Sequence, residues 1–374
     1  MKLTVPRETL LGACQLASIA VPQRSPKPIL QSIKLVADPQ QLLLMATDMD
    51  IGIRLTLRGN LHVAKPGEVL LVSEKMVSIL RESLTDEAVQ IEADDSRAII
   101  RTETSEFEMP TADAASFPDP PLWDGQGYYE MQAGVLREMI HRTIFAVAKE
   151  AAKYTMTGVL WEVEGKTVRL VATDSKRLAL AMGAIANFNA PELANHSHIV
   201  PTKVMQMLER HLQSVSESAQ VRISLRSQDV MFATEGDRAV IVGRLVAGRF
   251  PPYREILPKK HTARVTLPVE RFLAAVRQAA IMTDQESKRV RFQFTEKLLT
   301  LEAHEATSGR SKVQLPLTQY EGAAMTISFD PQNITEMLRV LPADAEVTLH
   351  LLDPARPAVF STGLDYTYLV MPMA

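Results

Sequence analysis

A carboxylate and two basic residues follow an apolar run in VATDSKRLAL, residues 171–180. Asp174, Lys176 and Arg177 are residue types that build active sites, and one interpretation is a nucleic-acid-processing enzyme that uses them in a cleft between repeats. The same Ala-Thr-Asp occurs 126 residues earlier, in LMATDMDIGI at 44–53, where no basic pair follows. Because an aspartate at a strand end can hydrogen-bond nearby backbone groups, Thr-Asp predicts a turn that the fold uses twice.

The repeated turn belongs to a longer internal repeat. VLLVSEKMVSILRESL at 69–84 parallels SHIVPTKVMQMLERHL at 197–212, and the order of elements recurs a third time without the Ala-Thr-Asp. Each repeat has short alternating strands and two helices, which predicts an α+β fold class with antiparallel sheets in three tandem domains. The predicted domains are residues 1–122, 128–257 and 262–374.

Other signs of catalysis are weak. The chain has no phosphate-binding glycine loop, nucleophile elbow or dinucleotide-binding glycine pattern. A catalytic site in a tandem repeat would keep its reactive groups in each copy, but the third copy has EAHEA where the others have ATD. We therefore predict no catalytic residue, no metal site and no cofactor, with the enzyme that uses Asp174, Lys176 and Arg177 as the alternative.

Charge is unevenly distributed along a chain whose net charge is -3. The six predicted helical stretches together carry +5, which leaves -8 for the remainder. These helices have either ordinary solvated faces or a basic surface that holds a polyanion through its phosphates. The six stretches are residues 6–27, 74–84, 134–153, 203–213, 269–279 and 330–340.

Composition and cysteine usage indicate a globular protein. Apolar residues make up 46% and charged residues 23% of 374 residues, which permits sizeable cores. A single cysteine, Cys14, precludes an intramolecular disulfide and fits a reducing cytoplasm. Pro6, Arg7 and Glu8 interrupt the apolar N-terminus, so we expect a helix there rather than a signal segment. We also expect no membrane partner and a cytoplasmic location, because no apolar run approaches the roughly 18 residues of a membrane span.

Five stretches in this order resemble the bacterial DNA polymerase III beta subunit family, the sliding clamps, over the whole chain. They are MKLTVPRETLL, KPILQSI, VATDSKRLAL, GRFPPYREILP and the terminal YLVMPM. The resemblance implies a head-to-tail homodimer whose six DNA-clamp domains form a closed ring, with sheets outside and two helices per domain lining the hole. It implies a processivity factor without catalytic activity that encircles duplex DNA independently of sequence. The implied partners are the replicative polymerase alpha subunit, the clamp loader, and repair polymerases and ligase, which would bind through short peptide motifs.

The resemblance and the helix faces also imply site residues. A peptide-binding pocket is expected from Met156, Gly158, Thr173, Ser175, Lys176, Arg177, Leu178, Pro251, Ile256, Tyr320, Val359, Val370, Met371, Pro372 and Met373. DNA contacts are expected from Arg24, Arg137, Arg142, Lys149, Lys153, Tyr154, Lys203 and Arg210. Ile281 and Met282 are expected at the dimer interface. The chain departs from the family's usual residues at Ser175, Lys176, Glu255 and Ala374, and these departures bear on peptide preference.

Overall fold

A computed structural model describes most of the chain, and its architecture is α+β, as predicted. The described residues are 1–149, 155–189, 196–234, 236, 238–258, 260–284, 288–305 and 309–373. All strand pairings among them are antiparallel, which confirms the predicted type of sheet.

Helices and strands alternate in a pattern that recurs along the described chain. The helices are α1 (Arg7–Ala17), α2 (Ser73–Glu82), α3 (Ala133–His141), α4 (Thr202–Leu212), α5 (Tyr253–Ile256), α6 (Val269–Ala280) and α7 (Pro331–Arg339). The strands are β1 (Lys2–Pro6), β2 (Ser32–Asp38), β3 (Gln41–Thr47), β4 (Ile51–Arg58), β5 (His62–Lys65), β6 (Gly67–Val72), β7 (Ala88–Ala93), β8 (Arg97–Arg101), β9 (Glu106–Pro110), β10 (Tyr129–Gln132), β11 (Gly158–Glu164), β12 (Thr167–Thr173), β13 (Arg177–Ala184), β14 (Asn187–Phe188), β15 (Ser197–Pro201), β16 (Gln220–Leu225), β17 (Asp229–Ala233), β18 (Ala239–Arg244), β19 (Ala263–Pro268), β20 (Val290–Phe294), β21 (Leu298–Glu305), β22 (Gly309–Pro316), β23 (Tyr320–Glu321), β24 (Met325–Phe329), β25 (Glu346–Leu351), β26 (Ala358–Thr362) and β27 (Tyr366–Val370).

Four sheets contain these strands. Two sheets have nine strands each, in the orders β14-β10-β16-β17-β18-β4-β3-β2-β6 and β15-β11-β12-β13-β27-β26-β25-β19-β23. A five-stranded sheet has the order β5-β1-β7-β8-β9, and a four-stranded sheet has the order β22-β21-β20-β24. Each nine-stranded sheet therefore joins strands from two of the predicted repeats.

Each of the six longer helices begins at most one residue after the end of a strand and buries one face. In α4 the buried residues include Val204, Met205, Leu208 and Leu212, as the helical spacing predicts. Met207 and His211 are buried as well. α7 begins after Asp330, whose carboxylate accepts a hydrogen bond from the backbone N–H of Gln332 at 2.8 Å and so caps the helix.

Two predicted helical stretches are shorter than expected. The stretch 6–27 ends at Ala17 and continues only as a 3-10 turn, Ser18–Ala20, because the prolines that follow cannot continue a helix. The stretch 134–153 ends at His141 and is followed by a 3-10 turn, Ile144–Ala146. There the Thr143 hydroxyl donates to the carbonyl of Met139 at 2.8 Å, a local bond that competes with further helix formation.

The chain divides into two compact units. The first comprises the described residues of Met1–Arg137, Ile185–Ala194 and Val200–Leu245. The second comprises the described residues of Glu138–Ala184, Asn195–Ile199 and Val246–Ala374. Each unit contains one of the two nine-stranded sheets.

Candidate functional site

The Thr-Asp turn at residues 173–177, which we call the second corner, is closed by side chains bonded to backbone. The Thr173 hydroxyl donates to the carbonyl of Arg177 at 2.6 Å and accepts from the N–H of Ser175 at 3.2 Å. One Asp174 oxygen accepts from the N–H groups of Lys176 at 2.9 Å and Arg177 at 3.1 Å. Ser175 takes a left-handed backbone conformation, with φ of 77°. Residues 173–177 therefore form a tight turn between β12 and β13.

Residues 47–51, which we call the first corner, have the same construction. The Thr47 hydroxyl donates to the carbonyl of Ile51 at 2.7 Å and accepts from the N–H of Met49 at 3.0 Å. Asp48 accepts from two N–H groups of the turn, and Met49 has a φ of 81°. The interpretation of Thr-Asp as an architectural turn used twice is thus confirmed.

Arg177 is an interior residue of the second unit. Its Nε donates to Asp174 at 3.1 Å, and its terminal nitrogens donate to a Glu336 oxygen and to the carbonyl of Phe145 at 2.9 Å. Only 5% of its side chain is exposed. Burial acts to lower the pKa of Arg177, but the neighbouring Tyr368 and the carboxylates of Glu336 and Asp174 outweigh it, so the pKa lies above its ordinary value. The guanidinium is a permanent cation that holds the corner to helix α7.

The predicted active-site cluster is therefore a structural ion pair. The Asp174 carboxylate is engaged by its own turn and by Arg177, and Lys176 is exposed. Within the described ranges, no group of three or more histidine, cysteine or acidic side chains is arranged to hold a metal ion.

Strand β27 brings the C-terminal residues next to the second corner. Val370 lies opposite Arg177 and Leu369 lies opposite Leu178. Beyond the strand, the N–H of Met371 donates to the carbonyl of Lys176 at 2.8 Å, and 41% of Met371 is exposed. The sheet thus places an exposed methionine beside the exposed tip of the turn.

An apolar cluster supports this surface. Leu178 and Leu369 pack there with Phe250 and Tyr253, and Val359 packs against the edge of the cluster. The Tyr253 hydroxyl donates to Glu162 at 2.5 Å, and burial together with this bond raises the pKa of Tyr253 to about 12. The connector that contains Phe250 and Tyr253 therefore lies on the same face as the corner.

The remaining expected pocket residues differ in their setting. Ile256 is 49% exposed, while Pro251, Met156, Pro372 and Met373 are half-buried. Gly158 is buried at the start of β11. We define the candidate groove surface by the expected residues of the corner, the terminal segment and the connector, together with three expected residues from β26 and the start of β11. They are Thr173, Ser175, Lys176, Arg177, Leu178, Val370, Met371, Pro372, Met373, Pro251, Ile256, Val359, Met156 and Gly158.

Tyr320 does not join this set, and its expected position near the pocket is corrected. It lies in β23, and four strands separate β23 from β13 in the sheet, a distance of about 24 Å at the usual strand spacing. Its ring stacks on Phe294 and its hydroxyl donates to the carbonyl of Ala323 at 2.6 Å. The tyrosine is thus an interior residue at the sheet edge.

Sequence reasoning missed the partners of Arg177. Glu336 lies 159 residues away on α7, and Phe145 stands after the end of α3, with its ring 5.4 Å from the guanidinium carbon. No local pattern marks either residue as a neighbour of the corner. By contrast, Phe250 and Tyr253 lie in GRFPPYREILP, one of the five stretches that carry the family resemblance.

Most of the expected DNA-contact residues that are described lie at the surface. Arg24, Lys149, Lys203 and Arg210 are exposed. Arg137 is 33% exposed and pairs with Glu217 at 2.6 Å. Lys153 and Tyr154 lie outside the described residues.

Arg142 is the exception, and its expected position on a solvent-facing helix surface is wrong. Its side chain is 10% exposed, pairs with Glu138 at 2.5 Å and Asp365 at 3.4 Å, and lies over the ring of Tyr366. The helix ends before this residue, so the face assigned by helical spacing does not apply to it. Arg142 instead ties α3 to the turn before β27.

The two residues expected at a dimer interface follow α6. Ile281 is 73% exposed and Met282 is half-buried. Among the described residues, no helix is both long and apolar enough to cross a bilayer.

Comparisons with known proteins match the chain to one family over its length. Residues 1–121 match the family described as DNA polymerase III beta subunit, N-terminal domain; residues 130–252 match its central domain and 254–374 its C-terminal domain. The chain is 29% identical to the beta sliding clamp of Pseudomonas aeruginosa and 29% identical to that of Escherichia coli K12, with all of each chain covered. A crystal structure of the Pseudomonas aeruginosa sliding clamp matches with a TM-score of 0.88 and 28% identity, covering 100% of this chain and 99% of that one.

Proposed function

Because the chain belongs to the DNA polymerase III beta subunit family and is a DNA sliding clamp with three clamp domains, we propose that two copies close a ring around duplex DNA. The ring tethers a DNA polymerase to its template. The observation that carries this proposal is the match of all three clamp domains, in order, over the full length. The predicted domain bounds 1–122, 128–257 and 262–374 belong to the same proposal.

The groove surface is proposed to bind short peptide motifs of the replicative polymerase alpha subunit, the clamp loader, repair polymerases and ligase. Its exposed part includes Met371 and Ile256. Methionine and proline give an apolar surface that re-packs around different ligands. The expected ligand is a short, extended motif with a polar anchor and a Leu/Phe end. Arg177 acts as a positioning residue that fixes the corner, because each of its three side-chain nitrogens donates a hydrogen bond within the chain.

Deletion of residues 371–374 tests the groove. The deletion removes the backbone bond from Met371 to Lys176 and the one from Met373 to Ser328, but no residue of the apolar cluster. We expect loss of binding to a fluorescent peptide with a Leu-Phe end and loss of polymerase stimulation, while the melting temperature stays nearly unchanged. Leu364→Ala, at a residue that is 95% exposed in the same unit, is the matched control. Unchanged peptide affinity after the deletion would place the binding site elsewhere.

DNA contacts are proposed to be few, weak and directed to phosphates, since a clamp must slide. The exposed Arg24, Lys149, Lys203 and Arg210 are the candidates among the described residues, and Lys153 and Tyr154 join them on sequence grounds. Direct binding should weaken steeply with salt. Protein loaded on nicked circular DNA should stay bound and should be lost when the circle is cut. Equal retention on circular and linear DNA would contradict the ring.

The homodimer is proposed to join the first domain of one chain to the third domain of the other, with Ile281 and Met282 at the joint. A heterologous contact of this kind closes a ring when the rotation completes a circle. Ile281→Ala with Met282→Ala should shift the sedimentation of the protein toward the monomer. An unchanged dimer population would mean that these two residues lie outside the interface.

The ring is proposed to have no catalytic role. A metal-dependent nuclease assay on purified protein tests this point. Hydrolysis of DNA that Asp174→Asn abolishes would instead support the alternative enzyme.

A further inference from the structure

Residues 145–149, which we call the bridge segment, are hydrogen-bonded to two residues of the groove surface. At one end, the carbonyl of Phe145 accepts a hydrogen bond from Arg177 at 2.9 Å, and the Phe145 ring centroid lies 5.4 Å from the guanidinium carbon. Near the other end, the N–H of Ala148 donates to the carbonyl of Met156 at 2.9 Å. The position of the bridge segment is therefore tied to the second corner and to Met156.

The bridge segment ends at Lys149, a residue that is proposed to contact DNA phosphates. Lys149 is exposed, whereas Ala146 and Ala148 are buried, with 0% and 8% exposure. Consecutive Cα atoms are about 3.8 Å apart, so the backbone of Lys149 lies next to the residue that bonds to Met156. A phosphate held by Lys149 would thus act on a segment that the groove surface also holds.

Helix α7 connects the same two cations by electrostatics. One oxygen of Glu336 accepts a hydrogen bond from Arg177 at 2.5 Å, and the other accepts one from Gln332 at 2.8 Å. Burial acts to raise the pKa of Glu336, but these two hydrogen bonds and the charges of Arg177 and Lys149 outweigh it, so the pKa lies below its ordinary value. The Glu336 carboxylate therefore interacts with one cation of the groove surface and with one proposed DNA contact.

Aromatic packing joins the bridge segment, the corner and α7 into one assembly. The ring of Tyr368 lies 5.8 Å from the ring of Phe145, and its hydroxyl donates to the carbonyl of Asn333 in α7 at 2.9 Å. Tyr368 itself pairs with Ala179 in β13, the strand that begins at Arg177. Tyr368 is 0% exposed, and the side chain of Arg177 is 5% exposed. Because a close-packed interior transmits displacements, a shift of the bridge segment reaches the corner.

The first corner shows that the turn itself does not need an arginine. There Ile51 holds the position of Arg177: each residue offers its carbonyl to the threonine hydroxyl and to the aspartate N–H of its turn. Both turns close with the same bonds, although only Arg177 carries a charge. The contacts of Arg177 with Phe145 and Glu336 are thus additional to the architecture, and they occur at the corner that carries the groove surface.

We propose that DNA contact at Lys149 and peptide binding at the groove surface strengthen each other through the bridge segment and the pair of Arg177 and Glu336. The inference rests on the proposed function and names a regulation of the groove. A phosphate that binds Lys149 restricts the bridge segment, so less conformational entropy remains to be lost when a peptide orders Met156 and the corner. The same phosphate draws the lysine away from Glu336 and leaves that carboxylate to Arg177.

The coupling has a consequence for the order of binding. Coupling between two sites is reciprocal, so a bound peptide strengthens the DNA contact by the same factor as DNA strengthens the peptide. We expect a factor of about five, the lower end of ordinary coupling between two sites. Partner proteins would then bind protein that already encircles DNA in preference to free protein.

Fluorescence polarisation of a labelled Leu-Phe peptide tests the coupling. Its Kd is measured at low salt, where DNA binding is strongest, without and with a saturating unlabelled duplex. The Kd for the wild type should fall about fivefold on addition of the duplex, and the Kd for Lys149→Met should change less than twofold. The matched control Lys203→Met also removes an exposed candidate DNA contact, but from the other unit, and should retain the fivefold fall. Far-UV circular dichroism checks that each variant is folded.

The outcomes separate this inference from the proposed function. A wild type that binds no peptide under either condition overturns the groove, and one that binds no duplex overturns the DNA contact; either result removes the coupling as well. A wild type that binds both ligands with a peptide Kd that is unchanged or higher with the duplex overturns the coupling alone. A fivefold fall that persists in Lys149→Met overturns it too. A fall in the wild type and in Lys203→Met that is lost in Lys149→Met establishes the coupling.

Discussion

The two Thr-Asp corners provide a pair of substitutions with matched chemistry, Thr47→Val and Thr173→Val. Each hydroxyl donates one hydrogen bond across its turn and accepts one within it, and the residues are 5% and 4% exposed. Valine has nearly the same shape but neither bond. We expect each substitution to destabilise the protein while leaving side-chain packing in place.

The expected cost follows from the number of bonds lost. A typical intramolecular hydrogen bond contributes about 1 kcal/mol net, so each variant should lose about 2 kcal/mol. At about 2–4 °C per kcal/mol for a unit of this size, the melting transition of the affected unit should fall by about 4–8 °C. Thr47 lies in the first compact unit and Thr173 in the second, so differential scanning calorimetry can assign each shift.

Peptide binding should separate the two variants. Only the second corner carries groove residues, among them Ser175 and Lys176, so Thr173→Val should raise the Kd of a labelled Leu-Phe peptide about tenfold in fluorescence polarisation. Thr47→Val should leave that Kd unchanged. Equal losses of affinity in both variants would mean that global stability controls binding, and no loss in either would refute the role of the second corner.

Three further predictions concern buried groups. Arg177→Ala leaves the Glu336 carboxylate, which is 21% exposed, without its cation, and should lower the free energy of unfolding by about 2–4 kcal/mol in thermal melts. The control Arg254→Ala removes a cation that is 53% exposed and should cost at most about 1 kcal/mol. Similar losses in the two variants would contradict the structural role of Arg177. Burial lowers the pKa of His211 to about 4, below its unfolded value near 6.5, so the protein loses stability as the pH falls through this range. Between pH 7 and pH 4 the free energy of unfolding of the wild type should fall by about 3 kcal/mol more than that of His211→Gln. Equal falls for the two proteins in urea titrations would contradict this prediction. Burial raises the pKa of Cys14 to about 12, so the thiol should react with Ellman's reagent only in denaturant, and fast reaction with the folded protein would contradict its burial.

Local patterns in the sequence were sufficient to predict where the helices begin and where the Thr-Asp corners lie. The positions where the six longer helices begin follow from apolar spacing after a strand, and the Thr-Asp turn follows from the chemistry of a short side chain that bonds to its own backbone. Both depend on residues close in the chain.

Contacts between residues far apart in the chain could not be predicted from local patterns. Helical spacing placed Arg142 in solvent, yet the helix ends one residue earlier and Asp365, 223 residues away, receives the guanidinium. Likewise Glu336 approaches Arg177 only because β27 pairs with β13 and α7 packs against β27. Tyr320 was assigned to the pocket by resemblance, whereas strand order places it at the other end of the sheet. Sheet order is set by pairings between distant segments, which no local pattern records.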